Sequence, residues 1–407
     1  MRALHLIYYF LLIVSASGSF ELIADGGSRE EGLDNYVSAT WWLKLFPYAI
    51  NGLGLILIFI ETISSRMIIF KYNKIFLILV IYLCSSFLWS EYTAKSFSAS
   101  FSFFLFIATF SLLHRFKNIE TEFIFLYFIS SILIWISLIN IVFFPAYGIS
   151  IGENHAGKWQ GAFAHKNSLG IFCVTFIWLG LNFNHNKWCL YRFTSMLLAS
   201  ILIFGSQSYT SIIGLIALPI LWLTTKSSSL LNILYKFRLI FLIFILCFML
   251  SLIWLSLSNN GISVIDKDDS FSGRNFIWAW VANRISENPL FGYGFGSIRS
   301  LTFENPFSFY HSVGFLVGTA HNGFFELIHD GGFFAIIVFI AYILNSLKNT
   351  NQDNLFRYLS FISIFFTINS FESRGIGINI FTLIFLIFEK HSTTNKIFHI
   401  KLTRGKI

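Results

Sequence analysis

The sequence predicts an all-α polytopic membrane protein of about 12 transmembrane helices, with a large extracytoplasmic loop between spans 9 and 10. Three observations carry that reading. Of 407 residues, 56% are hydrophobic and only 12% charged, with a mean hydropathy of +0.70; an ordinary soluble chain carries roughly 25% charged residues. The apolar residues fall in runs near the ~20 residues that a helix needs to cross a bilayer. One polar island, from Asn259 to Gly332, interrupts them.

Taken in order, spans are expected at 3–19, 43–63, 74–90, 97–113, 123–144, 168–183, 193–206, 210–224, 238–257, 323–344, 357–371 and 375–389. Residues 1–257 thus hold nine spans, 258–322 form the extracytoplasmic loop, 323–390 hold three more, and 391–407 are a basic cytoplasmic tail. Ala3 to Ala16 also fits a signal peptide, because Met1-Arg2 precedes it and Ala16-Ser17-Gly18 resembles a cleavage site. Either reading leaves the rest of the topology intact.

Lysine and arginine set the orientation. With the start inside, most of the 28 Lys+Arg fall in inner segments, among them Arg66, Lys71, Arg115, Lys187, Arg192, Lys348, Arg357 and Lys396. Such a bias marks the cytoplasmic face, where it meets anionic membrane lipid. The net charge of +8 is therefore a topology signal. Nucleic acid is not an expected partner, since a basic face with aromatic readout is missing.

Cysteine usage excludes a disulfide framework. Cys84, Cys173 and Cys247 lie in apolar runs and Cys189 in a short basic loop, as expected of small buried hydrophobes. No CxxC pair or HExxH spacing is present. Neither a metal nor a cofactor is expected.

The outer segments carry the polar chemistry. Glu21 to Asn35 is acidic, and Phe144 to Asn167 is a glycine-containing loop that ends in His165-Lys166-Asn167. Inside the island, Ser272 fits a helix cap. Phe276, Ile277, Trp280 and Ile285 then share one face, and Pro289 marks the stop. The expected element is a short amphipathic helix along the membrane surface, with Trp278 and Trp280 as interfacial anchors. Gly292-Tyr293-Gly294-Phe295-Gly296 lacks the spacing and the βαβ context of a nucleotide fingerprint; a tight turn is expected.

Arg274 falls in the first turn of that helix. Free N–H groups and a bidentate guanidinium make a seat for phosphate there, although pairing with Asp268 or Asp269, or with lipid headgroups, fits the spacing too. Arg284, further along, projects away from the apolar face. His321-Asn322-Gly323 opens the tenth span, and Asn322, Glu326 and His329 follow on one stripe with Asp330 beside them. Ionisable groups at a membrane helix start mark function unless the whole turn is solvated in the headgroup zone. Lys166 suits either an anionic headgroup or a plain interfacial position.

These residues carry a family resemblance. Ser272-Gly273-Arg274 with Ile277-Trp278, then Pro289 to Gly296, then His321-Asn322-Gly323-Phe324-Phe325-Glu326 with Gly331-Gly332 resemble the O-antigen ligase/polymerase family. Gly161 to Gly170 and Ser206-Gln207-Ser208 fit it too, so the likeness runs from about Gly161 to Phe339. The first of these two elements is more similar to the polysaccharide polymerase branch than to the lipid A ligase branch. One departure stands out: Tyr209 occupies a position where the family commonly has Arg, so Lys166 would have to supply a second cation.

The resemblance implies a metal-independent glycosyltransferase of a bacterial inner membrane, working on its periplasmic side. Its donor would be a glycan on polyprenyl diphosphate, and its acceptor a sugar hydroxyl on another lipid-linked repeat unit (polymerase) or on lipid A core (ligase). A chain-length regulator and a flippase are the partners such a polymerase would have. A diphosphate leaves readily once its charge is neutralised, so cations matter more than a carboxylate pair. Arg274, Lys166 and Arg284 are the diphosphate-binding candidates. His321 is the candidate base, with Asn322 to orient it and Glu326 in reserve. A transporter or flippase would instead spread polar groups along a midplane cavity; here they gather on one outer face.

Overall fold

The computed structural model describes residues 2–19, 45–65, 67–70, 73–112, 118–151, 155–182, 188–224, part of 229–243, then 274–298, 319–350, 352–391 and 398–401. In chain order the elements are α1 Arg2–Ser17, α2 Phe46–Ser65, β1 Met67–Phe70, α3 Lys74–Ser85, α4 Thr93–Leu112, α5 Ile119–Phe143 and the single turn α6 Pro145–Gly148. Then come α7 Lys166–Asn182, α8 Cys189–Ser206, α9 Tyr209–Thr224, α10 Arg274–Glu287, α11 Gly323–Asn349, α12 Gln352–Asn369, α13 Ile380–His391 and β2 Phe398–Lys401.

The architecture is nearly all helical. Apolar runs become helices because hydrocarbon offers no partner to a backbone N–H or C=O, and a helix satisfies both internally. Helices occupy the predicted spans except the ninth, 238–257, which lies largely outside the described residues. Among the described residues, four are long and apolar enough to cross a membrane: Thr93–Phe110 within α4, Ile119–Phe143, Cys189–Ser206 and Gly323–Asn349. Shorter apolar segments lie in α1, α2, α3 and α9. Bulky apolar side chains point outward from several of them, including Phe59, Phe193, Phe204 and Ile337, as lipid-facing positions require.

Two short strands depart from the all-α expectation. Met67–Phe70 pairs antiparallel with Phe398–Lys401, Met67 opposite Lys401 and Phe70 opposite Phe398. The stretch Met67-Ile68-Ile69-Phe70 is rich in residues that favour an extended, pleated backbone. Part of the expected cytoplasmic tail is thereby joined to the segment that follows α2.

At the centre stands α7, buried on nearly every side from Leu169 to Leu179. It packs against α5, α8, α9 and α12, and the Trp178 indole N–H donates to Ser360 Oγ of α12 at 2.9 Å. Phenylalanines fill the space between α11, α12 and α13. Phe385 meets Phe361 and Phe365 edge-on, with ring centroids 4.8 and 5.2 Å apart, an arrangement that adds to simple area burial.

The two ends of this bundle differ. At one end Glu122, at the start of α5, takes Lys390 Nζ at 2.9 Å and His391 Nε2 at 2.7 Å from the end of α13. A buried charge persists only when paired, and this pairing ties α5 to α13. The other end gathers the starts of α7 and α11, the link from α12 to α13, and α10.

Candidate active site

The chain link after α12 carries the centre of the site. Glu372 is buried, and its Oε1 accepts from Arg274 Nη2 at 2.9 Å and from Asn167 Nδ2 at 2.8 Å. Its Oε2 faces His321 Nδ1 at 3.6 Å, just beyond hydrogen-bond reach. Arg274 Nη1 also donates to the Phe371 carbonyl. Arg374, two residues on, donates through Nη2 to Ser168 Oγ at 2.5 Å. Three separate stretches, α10, the first turn of α7 and the start of α11, thus converge on one carboxylate.

Electrostatics decides the state of that carboxylate. Burial alone would push its pKa up, but the Arg274 guanidinium and the nearby His321 and His165 rings outweigh burial and bring it down to about 2. The carboxylate therefore stays ionised at any physiological pH. Arg274 pairs with this negative charge directly, while Lys166 and Arg374 lie on the two stretches that meet there, one residue from Asn167 and two from Glu372 in the chain.

His321 sits on strained backbone. Its φ of 48° lies in the left-handed region, which non-glycine residues rarely adopt and which costs of order ~1 kcal/mol or more. The strain is held from both sides. Asn322 caps α11, its Oδ1 accepting from the N–H groups of Phe324 and Phe325 at 3.0 Å, while its Nδ2 donates to the Ser370 carbonyl at 3.1 Å. The Gly323 N–H donates to the Glu372 carbonyl at 3.1 Å. The α11 start and the 370–374 link therefore fix each other.

The turn expected at Gly292 to Gly296 wedges against a break in α11. At Gly332, φ is 65° and ψ is −174°, so the helix opens there. Tyr293 N–H donates to His329 O and Gly294 N–H to Asp330 O, both at 2.9 Å; in return Phe333 N–H donates to Pro289 O at 2.7 Å. A Cβ at Gly332 would lie 2.1 Å from Leu290 O, and one at Gly292 would lie 2.5 Å from His329 O. Both positions need glycine. Asp330 adds its carboxylate, accepting from Gly296 N–H at 2.7 Å and Ser297 Oγ at 2.9 Å. His329 and Asp330 thus hold the turn, and belong to the site only as its support.

The predicted site residues separate into those that converge and those that do not. Arg274 and His321 meet at Glu372. Lys166 is buried in the first turn of α7, next to Asn167. Asn322 stands beside His321 but works on backbone, as a cap, rather than on the imidazole. Glu326 accepts from the Ala320 N–H at 3.1 Å and so braces the same helix start. Arg284 is not brought to the site. It pairs with Glu91 at 2.8 Å and Glu287 at 2.9 Å and lies over the Tyr293 ring at 4.0 Å. Ten residues of helix at ~1.5 Å rise place it roughly 15 Å along α10 from Arg274.

Trp278 also corrects an expectation. It is buried among Ile277, Val281, Ile298, Ala320 and Phe325, and its indole N–H donates to the Ala320 carbonyl at 2.9 Å. Both the ring and its N–H find better partners inside the protein than at a membrane interface. The Ser272 cap and the Asp268 and Asp269 alternatives lie outside the described residues.

Glu372, Arg374 and Asn167 were missed as functional candidates. A signal existed: Phe371-Glu372-Ser373-Arg374 puts two opposite charges into a short outer link between two predicted spans, where ionisable groups are costly unless paired. Among the described residues, no group of three or more His, Cys, Asp and Glu is placed to hold a metal ion.

A helical membrane protein that brings a guanidinium and an imidazole to one buried carboxylate at one end of its bundle is the class that fold and site define. Residues 194–340 match the family model described as O-antigen ligase, which supports the resemblance to the O-antigen ligase/polymerase family. The matched stretch contains Arg274, Arg284, His321, Asn322 and Glu326; Lys166 precedes it and Glu372 follows it. No curated protein matches the chain.

Proposed function

We propose that the protein is a polymerase of O-antigen or a related surface polysaccharide, transferring glycan from polyprenyl diphosphate to a sugar hydroxyl of another lipid-linked repeat unit. The observation that carries this reading is the meeting of Arg274 and His321 at Glu372, at 2.9 and 3.6 Å. A cation for the leaving diphosphate and a base for the acceptor proton are the two groups the transfer needs. In the reaction the acceptor oxygen attacks the anomeric carbon, and a new C–O bond forms. The bond from that carbon to the diphosphate breaks, its electron pair leaving on the diphosphate beside Arg274 and Lys166. The hydroxyl proton passes to His321, and the anomeric carbon inverts.

This reading includes twelve spans in a bacterial inner membrane, with the site on the periplasmic side and Lys and Arg of the inner segments on the cytoplasmic side. It needs no metal, because cationic side chains neutralise the leaving group. A flippase that delivers lipid-linked units and a chain-length regulator are the partners it calls for.

The ligase reading has one observation in its favour, the description of the matching family model. Polymerase is preferred because the Gly161 to Gly170 element resembles that branch. The test is turnover by the purified protein, in lipid vesicles, of polyprenyl-diphosphate-linked repeat units supplied as sole substrate. Polymer of increasing length is expected, at a rate that a metal chelator leaves unchanged. Transfer only when lipid A core is added would replace the polymerase reading with the ligase.

A further inference from the structure

Glu372 faces both groups that the transfer reading uses, Arg274 and His321, yet neither the leaving group nor the acceptor needs it. Its Oε1 takes Arg274 Nη2 and Asn167 Nδ2, and its Oε2 faces His321 Nδ1. One carboxylate therefore bridges the candidate phosphate contact and the candidate base. We infer that Glu372 is a positioning residue that holds the Arg274 fork toward the diphosphate and turns His321 so that Nε2 meets the acceptor hydroxyl. The inference rests on the glycan-transfer reading and deepens it.

Glu372 is not itself the base. Its side chain is only 8% exposed, and a carboxyl ionised down to about pH 2 accepts protons poorly, whereas an effective base has a pKa near the working pH. Nor does it block the cation. A guanidinium has five N–H donors, and Glu372 with Phe371 O engages two of them. The Arg274 side chain is 18% exposed, so part of it remains open. Lys166, next to Asn167 in sequence, and Arg374, two residues from Glu372, supply further positive charge on the same two stretches.

A purely structural bolt between α10 and the 370–374 link would need only the Arg274 pair. It would not need an imidazole nitrogen turned toward the second carboxylate oxygen, nor a His321 backbone held at φ 48°. Both features suit a base whose inward nitrogen faces a carboxylate, a short movement from hydrogen-bond reach, and whose outward nitrogen takes the proton. When the proton arrives at Nε2, the imidazolium that forms finds Glu372 already charged and in place, with no reorganisation at the moment of reaction.

The experiment compares wild type, Glu372→Gln and Glu372→Asp as full-length protein in vesicles, with polyprenyl-diphosphate-linked repeat units as substrate. Because about 1 Å of misplacement costs on the order of 100-fold, Glu372→Gln is expected to lower kcat on the order of 100-fold while KM moves little. Glu372→Asp, which keeps the charge, should recover a substantial part of kcat. Wild-type kcat in Glu372→Gln, or a raised KM at unchanged kcat, would overturn the inference. If Glu372→Gln is not recovered folded, Asn167→Ala loosens the carboxylate without removing its charge; kcat is then expected to fall roughly tenfold, and unchanged kcat would overturn the inference equally. Arg274→Ala and His321→Ala run beside these variants. Activity in both sinks the transfer reading itself, whereas their inactivity beside an active Glu372→Gln sinks the role of Glu372 alone.

Discussion

Arg274 and Glu372, 98 positions apart in the chain, meet through Nη2 and Oε1 at 2.9 Å, and the same guanidinium takes the Phe371 carbonyl. The contact joins the polar island to the link between α12 and α13. It fixes a long, rotamer-rich side chain as a rigid donor fork, which a flexible surface arginine is not.

From this geometry Arg274→Lys should be far weaker than wild type. An ammonium is a point charge and cannot hold Glu372, Phe371 O and a phosphate with one planar fork. Losing a charge-assisted bidentate contact costs about 1.5–3 kcal/mol, so roughly a tenfold to hundredfold loss of turnover is expected, with protein levels near wild type. Turnover equal to wild type in Arg274→Lys would mean that the fork is not used.

Acid should weaken the protein through Glu372. The Arg274 guanidinium holds its carboxyl at about 2, well below the ordinary value of 4.5, so the folded state favours the ionised form. That stability is fully present above the unfolded pKa and is lost as pH falls from about 4.5 toward 2. Thermal unfolding in detergent is therefore expected to be flat near neutrality and to fall between pH 5 and 3 by more in wild type than in Glu372→Gln, ranges that follow from the same linkage. Parallel curves for the two proteins would contradict the shift.

The break in α11 makes a separate claim. Gly332→Ala puts a Cβ 2.1 Å from the Leu290 carbonyl on backbone with φ 65°, and strain of this kind costs about 1–3 kcal/mol. A lowered Tm is expected, together with loss of turnover, because the 289–298 turn would be pushed off α11. Alanine at Gly157, where φ is 77° but no atom lies within 4 Å, carries the backbone strain without the clash and should cost less. Equal effects would show that packing at Gly332 is not the cause.

Much of the helical order was legible because bilayer-length apolar runs have few alternatives; Leu169 to Leu179 of α7 is the plainest case. Arg274 and His321 were legible as polar groups at helix starts on one side. Their convergence was not, because Glu372 lies 51 residues beyond His321 and outside any recognised motif, and only tertiary packing brings it back. The misplacement of Arg284 and Trp278 has a similar origin. Helical spacing says which side chains share a face, but not whether Glu91, Tyr293 or the Ala320 carbonyl waits opposite. The β1–β2 pair escaped notice because its strands are four residues each and lie far apart in sequence.

Polymerase and ligase break the same sugar–diphosphate bond, so variants of Arg274 or His321 cannot separate them, and the acceptor must. The most direct measurement is the lipopolysaccharide of a host deleted for this protein, resolved on a gel. Loss of a polymerase leaves single repeat units that a separate ligase still transfers, so the account predicts core capped with one repeat, seen as one band above bare core. Bare core alone, with long glycan stranded on polyprenyl diphosphate, would contradict it and make the protein the ligase.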